Sequence, residues 1–81
     1  MTISVQFWSY YRDKAGCTQA IFDVPEGTTL GQLQDIVGER FPALAGLRAS
    51  TLAAVGVEYQ PPGHALRDGD QVSLFPPVQG G

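Results

Sequence analysis

The 81-residue sequence predicts an α+β fold, with one main helix packed on one face of a mixed four- to five-stranded sheet. Three observations lead to this prediction. Segments that alternate apolar and polar residues occur near both ends of the chain. One segment with helical spacing lies between them, and a short apolar run follows it. The length suits a single domain with one hydrophobic core.

Two segments near the amino terminus, 2–11 and 18–24, are rich in β-branched and aromatic residues. Both alternate with a period of two, which is typical of strands with one buried face. Phe7 and Trp8 are neighbours in the first segment, so they are predicted to point to opposite faces of the sheet. The polar segment 12–16 between the strands ends in glycine, which favours a turn and an antiparallel hairpin.

One helix is predicted to begin after Thr29, whose hydroxyl can cap it, and Gln32 three residues later completes a capping box. Pro42 is predicted to end this helix. The charged residues Glu39 and Arg40 near its end are predicted to be solvated. The apolar residues at helical spacing should share one side of the helix: Leu30, Leu33, Ile36, Val37 and Phe41.

The second half of the chain supplies the remaining strands. The apolar run 52–57 is predicted to be a strand buried on both faces, and 64–66 a short strand. The segment 67–70 contains an Asp-Gly turn dipeptide, and 72–75 follows it as the last strand. The order ββαββ, with or without the extra short strand, is the ubiquitin-like β-grasp arrangement. Residues 1–75 are therefore predicted to form one β-grasp domain.

Residues 76–81 are predicted to form an extended tail on this domain. Pro76 and Pro77 cannot donate hydrogen bonds to a strand, and consecutive prolines favour an extended polyproline II conformation. Gly80 and Gly81 have no side chains, so their backbone can enter a channel that a Cβ would obstruct. The six residues reach at most about 20 Å. The tail can therefore present the Gly81 carboxylate inside the active site of another protein.

Composition argues against several classes of function. The net charge is −3 and the few basic residues are scattered, so binding to nucleic acid is not expected. One cysteine, Cys17, and one histidine, His64, are too few to hold zinc or an iron–sulfur cluster, so no metal site is expected. No basic leader and no stretch of about 20 apolar residues occurs, which predicts a cytoplasmic protein without membrane contact.

The sequence resembles the small, sulfur-carrying subunit of molybdopterin synthase, a ubiquitin-like family of the molybdenum cofactor pathway. The resemblance spans nearly the whole chain. Its strongest blocks are 52–55, 64–72 and 75–81, and the Arg-acidic turn 12–16 is a weaker block. Gly56 departs from the family pattern, because members commonly carry asparagine at this position.

This resemblance implies a sulfur-transfer chemistry. An adenylating enzyme of the ubiquitin-activating type would use ATP to adenylate Gly81, and a sulfur donor would convert it to a thiocarboxylate. The tail would then enter the large subunit of the synthase, within a heterotetramer, and donate sulfur to a pyranopterin precursor. Gly81 would be the reactive residue, with Gly80, Pro76 and Pro77 giving the tail access. The small subunit would have no complete active site alone and no permanently bound cofactor.

The resemblance also implies a docking surface. Phe75 and Phe7 would supply apolar surface to the partner, with Tyr59 as a third residue. Each of these aromatic residues also fits simple packing in the core. Arg12 would pair with an acidic group of the activating enzyme, although an arginine in a turn can equally be solvated.

Three other functions are consistent with the sequence. The sulfur carrier for thiamine thiazole synthesis also ends in Gly-Gly, although the Phe-Pro-Pro-Val block at 75–78 favours the molybdopterin branch. A ubiquitin-like modifier conjugated through Gly81 to lysines is the second alternative. The third is a β-grasp interaction module with an inert tail.

Overall fold

The computed structural model describes residues 1–77. Five strands and three α-helices follow in the order β1 (Thr2–Phe7), α1 (Tyr10–Ala15), β2 (Gln19–Asp23), α2 (Leu30–Arg40), α3 (Pro42–Ala45), β3 (Leu52–Val55), β4 (Glu58–Tyr59) and β5 (Gln71–Phe75). A 3₁₀ turn, Arg48–Ser50, precedes β3.

The strands form one five-stranded sheet in the order β2-β1-β5-β3-β4. The first and last strands, β1 and β5, are parallel neighbours at its centre, and the other pairs are antiparallel. The sheet is therefore mixed, as predicted. The register pairs Phe7 with Leu74 and Leu52 with Phe75, so the end of β5 lies beside the end of β1.

The core lies between the sheet and α2. Alternating residues of β1 and β5 face the apolar side of the helix, because successive side chains of a strand point to opposite faces. The buried cluster includes Ile3, Val5, Phe7, Phe22, Leu30, Leu33, Val37, Leu44, Val72 and Leu74. Ile36 and Phe41 pack against it half-buried. This arrangement confirms the predicted β-grasp fold.

The capping box at the start of α2 is confirmed. Thr29 Oγ1 accepts a hydrogen bond from the backbone N–H of Gln32 at 3.2 Å, and Gln32 Oε1 accepts one from the N–H of Thr29 at 2.9 Å. Two N–H groups of the first turn are satisfied by a loop. Leu30 donates to the carbonyl of His64, and Gly31 donates to the carbonyl of Pro62, each at 2.8 Å.

Gly31 is buried in the first turn of α2, where this loop lies close to the helix. A Cβ on Gly31 would lie 3.0 Å from Pro62 Cβ and 2.7 Å from Arg48 Nη2. Close approach of the loop therefore explains a glycine at a helical position that would otherwise favour alanine.

The prediction of a strand through 2–11 followed by a turn is wrong after Phe7. Residues Tyr10–Ala15 form α1, which follows Ser9 at φ 56° and ends at Gly16 at φ 77°. Tyr11 from this helix is buried in the core, and its hydroxyl lies 2.8 Å from Thr51 Oγ1. The helix, and not strand alternation, places Tyr11 over the core.

The apolar run 52–57 is also shorter as a strand than predicted. β3 ends at Val55 because the chain turns at Gly56, whose φ is 64°, and Val57 at the turn is 98% exposed. Glycine and asparagine both tolerate this left-handed conformation, so glycine at this position is compatible with the turn. The strand β4 after this turn was not predicted. The strand predicted at 64–66 is reduced to a single bridge between Ala65 and Thr29.

Candidate functional site

The candidate site begins at the end of β5, where the tail leaves the domain. β5 ends at Phe75, and Pro76 and Pro77 follow outside the sheet, as the sequence predicted. Gly80 and Gly81, the predicted access and reactive residues, lie outside the described residues. The described site is therefore the surface around the root of the tail.

Three aromatic side chains lie together at this root, on the sheet face opposite α2. The Trp8 and Phe75 rings stack with their centroids 5.6 Å apart, at an interplanar angle of 14°. Tyr59 meets Phe75 edge-on at 6.1 Å. Trp8 is 43% exposed and Tyr59 is 64% exposed, while Phe75 is half-buried between them. We call Trp8, Phe75 and Tyr59 the aromatic strip.

The strand register explains the strip. Tyr59 pairs with Ala54, which in turn pairs with Ser73 across β3 and β5. Ala54 and Ser73 have small side chains and are buried on this face. Large rings at the edge of a patch of small side chains offer apolar contact area to a partner, which is a common composition of protein interfaces.

Phe7 does not belong to this surface, which corrects the expectation that it contributes to docking. Its side chain is 2% exposed and meets Phe41 edge-on at 5.3 Å, under α2. Trp8 lies on this surface instead, because Phe7 and Trp8 are adjacent in the chain and point to opposite faces of the sheet. The alternation was visible in the sequence, but it did not show which face was covered.

Arg12 extends from α1 beside the strip. Its Nε is 3.5 Å from the carbonyl oxygen of Ser9, a long and weak contact. Within residues 1–77 its guanidinium forms no ion pair; the one pair found there joins Arg48 and Asp35 at 2.8 Å. Arg12 opens onto a surface cleft of about 200 Å³. The described residues that line the cleft carry no carboxylate; they are Gln6, Phe7, Trp8, Arg12, Thr18 and Gln19.

Asp68 and Asp70, in the turn segment 67–70, accept hydrogen bonds from backbone N–H groups. Asp68 Oδ1 accepts a hydrogen bond from the backbone N–H of Thr2 at 2.7 Å, and Asp70 Oδ2 accepts one from Arg67 N–H at 2.8 Å. Cys17 is half-buried and packs against the core. Among residues 1–77, no group of three or more His, Cys, Asp or Glu side chains is placed to hold a metal ion. No helix of this region is long and apolar enough to cross a membrane.

Comparison with known proteins assigns this chain to a family. Residues 5–81 match the model of the ThiS family. The chain belongs to the ThiS family. The match includes the tail and both of its terminal glycines, which confirms the resemblance seen in the sequence.

Two curated relatives of this ThiS-family chain match it end to end. The molybdopterin synthase sulfur carrier subunit of Escherichia coli (strain K12) is 37% identical over 81 residues, covering 98% of this chain and 99% of that protein. The protein of the same name from Chlamydomonas reinhardtii is 31% identical over 83 residues and covers 100% of both chains.

Solved structures share the fold. SAMP1 from Haloferax volcanii superposes with a TM-score of 0.89 at 25% identity, covering 100% of both chains. A second solved structure from Haloferax volcanii gives the full name of SAMP1, small archaeal modifier protein 1. The modifier therefore shares the β-grasp scaffold of this chain.

The described site has the features of a docking surface for another protein. The aromatic strip offers apolar area, Arg12 offers one positive charge, and the tail begins directly after Phe75, a member of the strip. Phe75, Tyr59 and Arg12, the contact residues predicted from the sequence, lie on this surface. Trp8, which was not among the predicted contact residues, lies there as well.

Proposed function

We propose that this protein is the sulfur carrier subunit of a molybdopterin synthase. The observation that carries the proposal is the end-to-end match to two relatives of that name. The family match runs through Gly81, so the proposed reactive residue lies within the matched region. The aromatic strip at the root of the tail supports the proposal, because a carrier needs a surface that fixes its tail in a partner.

The chemistry takes place at the Gly81 carboxylate. The carboxylate attacks the α-phosphorus of ATP in the activating enzyme, forming an acyl adenylate while pyrophosphate leaves. A hydrosulfide equivalent attacks the acyl carbon and AMP leaves, so that one sulfur replaces one oxygen. The thiocarboxylate sulfur then bonds to a carbon of the pyranopterin precursor, and the oxygen substituent of that carbon leaves. Water cleaves the acyl–sulfur bond, which leaves sulfur on the precursor and restores the carboxylate.

Gly80 and Gly81 suit this role for a steric reason. The same carboxylate must enter two different active sites, and a chain without Cβ atoms passes through a narrower channel than any other sequence. Pro76 and Pro77 restrict the tail to extended conformations. Their stiffness lowers the entropy that the tail loses on insertion.

The large synthase subunit is the proposed partner of the aromatic strip. Trp8 and Tyr59 are exposed aromatic residues, and interface hot spots are enriched in tryptophan and tyrosine. Docking there would hold Phe75, and with it the root of the tail, at a fixed distance from the partner's pocket. The large subunit supplies the acid–base residues and the precursor pocket, within a heterotetramer.

Arg12 is proposed to contact the activating enzyme. Its guanidinium lies at a cleft whose described lining residues carry no carboxylate, so an acidic side chain of a partner would be its counter-charge. ATP belongs to that enzyme, and the carrier needs no resident cofactor. Because this activation consumes ATP, we assign the protein to the cytoplasm, where ATP is available.

Intact-mass measurement tests the proposal. The protein is incubated with ATP, sulfide and an adenylating enzyme of the ubiquitin-activating type. Exchange of one oxygen for sulfur at Gly81 should raise the mass by about 16 Da. A variant lacking only Gly81 is the matched control and should not change in mass. An unchanged mass of the full chain, with the enzyme active on a known carrier, would contradict the proposal.

Conjugation to proteins is a second candidate function, favoured by the structural match to small archaeal modifier protein 1. In that case the activated Gly81 carbonyl forms an isopeptide bond to a lysine of a target. Mass spectrometry of tryptic peptides from cells would show residues 68–81 attached to a target lysine, because trypsin cleaves after Arg67, the last basic residue of the chain. A modifier gives this attached peptide, whereas a dedicated carrier gives only the thiocarboxylate.

The destination of the sulfur separates the molybdopterin and thiamine branches. The thiocarboxylate form is mixed in turn with the large subunit of molybdopterin synthase and with a thiazole synthase, each with its own precursor. We expect sulfur transfer in the first mixture only. Transfer in the thiazole mixture alone would assign the protein to the thiamine branch.

A further inference from the structure

The strand β2 has an open edge. Within residues 1–77 it lies at one end of the sheet and pairs with β1 alone. Backbone hydrogen bonds join Val24 to Met1 and Phe7 to Thr18, so the even-numbered residues of this strand face β1. In an antiparallel strand, alternate residues turn their N–H and C=O groups to opposite sides. Those that point to the open edge are therefore Gln19, Ile21 and Asp23.

Arg40, predicted to be solvated, is exposed and also closes the middle of this edge. Its Nη1 donates a hydrogen bond to the carbonyl oxygen of Ile21 at 2.8 Å. The guanidinium lies over the ring of Phe22, 4.8 Å from its centroid, and 5.6 Å from that of Phe41. Two cation–π contacts and one hydrogen bond hold the side chain against the strand.

The opposite edge of the sheet is protected in a different way. β4 has only two residues, Glu58–Tyr59, and Pro61 and Pro62 follow it closely. Short strands and nearby prolines are common protections against edge-to-edge pairing. β2 has five residues, QAIFD, without proline, lysine or arginine. Arg40, a cation from α2, supplies the protection that the sequence of β2 lacks.

The edge of β2 is complementary to itself. A two-fold axis through Ile21 would place Gln19 of one copy opposite Asp23 of the other, without like charges facing each other. The two Ile21 residues would form the central pair, exchanging both N–H···O hydrogen bonds. Their side chains, 51% exposed in the monomer, would meet across the junction. The Ile21 carbonyl oxygen, which would accept a hydrogen bond in this central pair, already accepts one from Arg40.

We propose that Arg40 guards the β2 edge against pairing with β2 of a second copy of this chain. While its guanidinium is bound to the Ile21 carbonyl, the central pair of a continuous sheet cannot form. Removal of the guanidinium leaves a five-residue, self-complementary edge, and two copies pair through it. This inference concerns the edge strand β2 and does not depend on the proposed sulfur transfer.

Sedimentation equilibrium of four variants, over a wide range of protein concentration, tests whether Arg40 prevents this pairing. Arg40→Ala removes the side chain. Arg40→Met keeps its aliphatic packing on the two rings, which preserves the fold, but removes the hydrogen bond to Ile21. Both variants should approach twice the monomer mass of 8.7 kDa as concentration rises. Arg67→Ala is the charge-matched control and should remain a monomer, like the parent chain.

The fourth variant locates the contact. Arg40→Ala combined with Ile21→Lys would place two positive charges side by side at the two-fold axis, so this double variant should return to the monomer. Folding of each variant is checked by circular dichroism. A folded Arg40→Met variant that stays monomeric would overturn the proposal. A double variant that remains a dimer, or a dimeric Arg67→Ala control, would equally overturn it.

Discussion

Phe7 and Tyr59 should respond to truncation in opposite ways. Phe7→Ala removes a ring that is 2% exposed and packs against Phe41 in the core. Deletion of a buried phenylalanine ring costs about 3–5 kcal/mol. Domains are stable by about 0.05–0.15 kcal/mol per residue, or about 4–12 kcal/mol for a chain of this length. The variant is therefore expected to lose a large part of its free energy of unfolding.

Tyr59→Ala removes a ring that is mostly exposed and has one edge contact, at 6.1 Å from Phe75. Loss of an aromatic pair costs about 0.5–1.5 kcal/mol, so this variant should fold nearly as well as the parent. If Tyr59 is a hot spot for the large subunit, its loss should cost about 2 kcal/mol or more of binding free energy. That corresponds to a dissociation constant raised about 30-fold.

Urea unfolding followed by circular dichroism gives the two stabilities, and calorimetric titration with the large subunit gives the affinity. The assignment of Phe7 to the core and Tyr59 to the docking surface fails if Phe7→Ala unfolds with a free energy within about 1 kcal/mol of the parent. It fails equally if Tyr59→Ala binds the large subunit as tightly as the parent does.

Two further predictions, both measured by urea unfolding, concern the close contact at Gly31 and the hydrogen bond of Tyr11. Gly31→Ala should lower the free energy of unfolding by about 1 kcal/mol, because overpacking against the loop at 3.0 Å outweighs the gain in helix propensity. A Cβ added at Gly46 would have no atom within 4 Å, so Gly46→Ala should instead raise the free energy of unfolding by about 0.4–1 kcal/mol. If Gly46→Ala lowers the free energy of unfolding as much as Gly31→Ala does, close packing is not the cause. Tyr11→Phe should cost about 0.5–1.5 kcal/mol, since the hydroxyl donates to Thr51. The exposed Tyr10→Phe should be neutral, and equal effects at both tyrosines would contradict this assignment.

Local patterns in the sequence predicted much of the fold. The capping box of Thr29 and Gln32 depends only on residues three positions apart, and it forms as predicted. The end of β5 at Phe75 follows from the missing N–H of Pro76. These features depend on neighbours in the chain, so the structure of the rest of the protein does not change them.

Features that depend on distant residues could not be predicted in this way. Arg40 contacts Ile21 and Phe22, which lie far from it in sequence and meet it only in the folded sheet. The helix α1 forms where the pattern of aromatic residues favoured a longer strand, because Tyr11 contacts Thr51 across the fold. Likewise, alternation separated Phe7 from Trp8, but only the position of α2 decided which of them is exposed.

The central claim is that the terminal carboxylate carries the sulfur, while the folded domain provides docking. Product formation tests it most directly, in a mixture of the sulfurated carrier, the large synthase subunit and the pyranopterin precursor. The full chain should yield dithiolene product, whereas the chain lacking Gly81 should still bind the large subunit and yield none. Product from the shortened chain at the rate of the full chain would contradict the account.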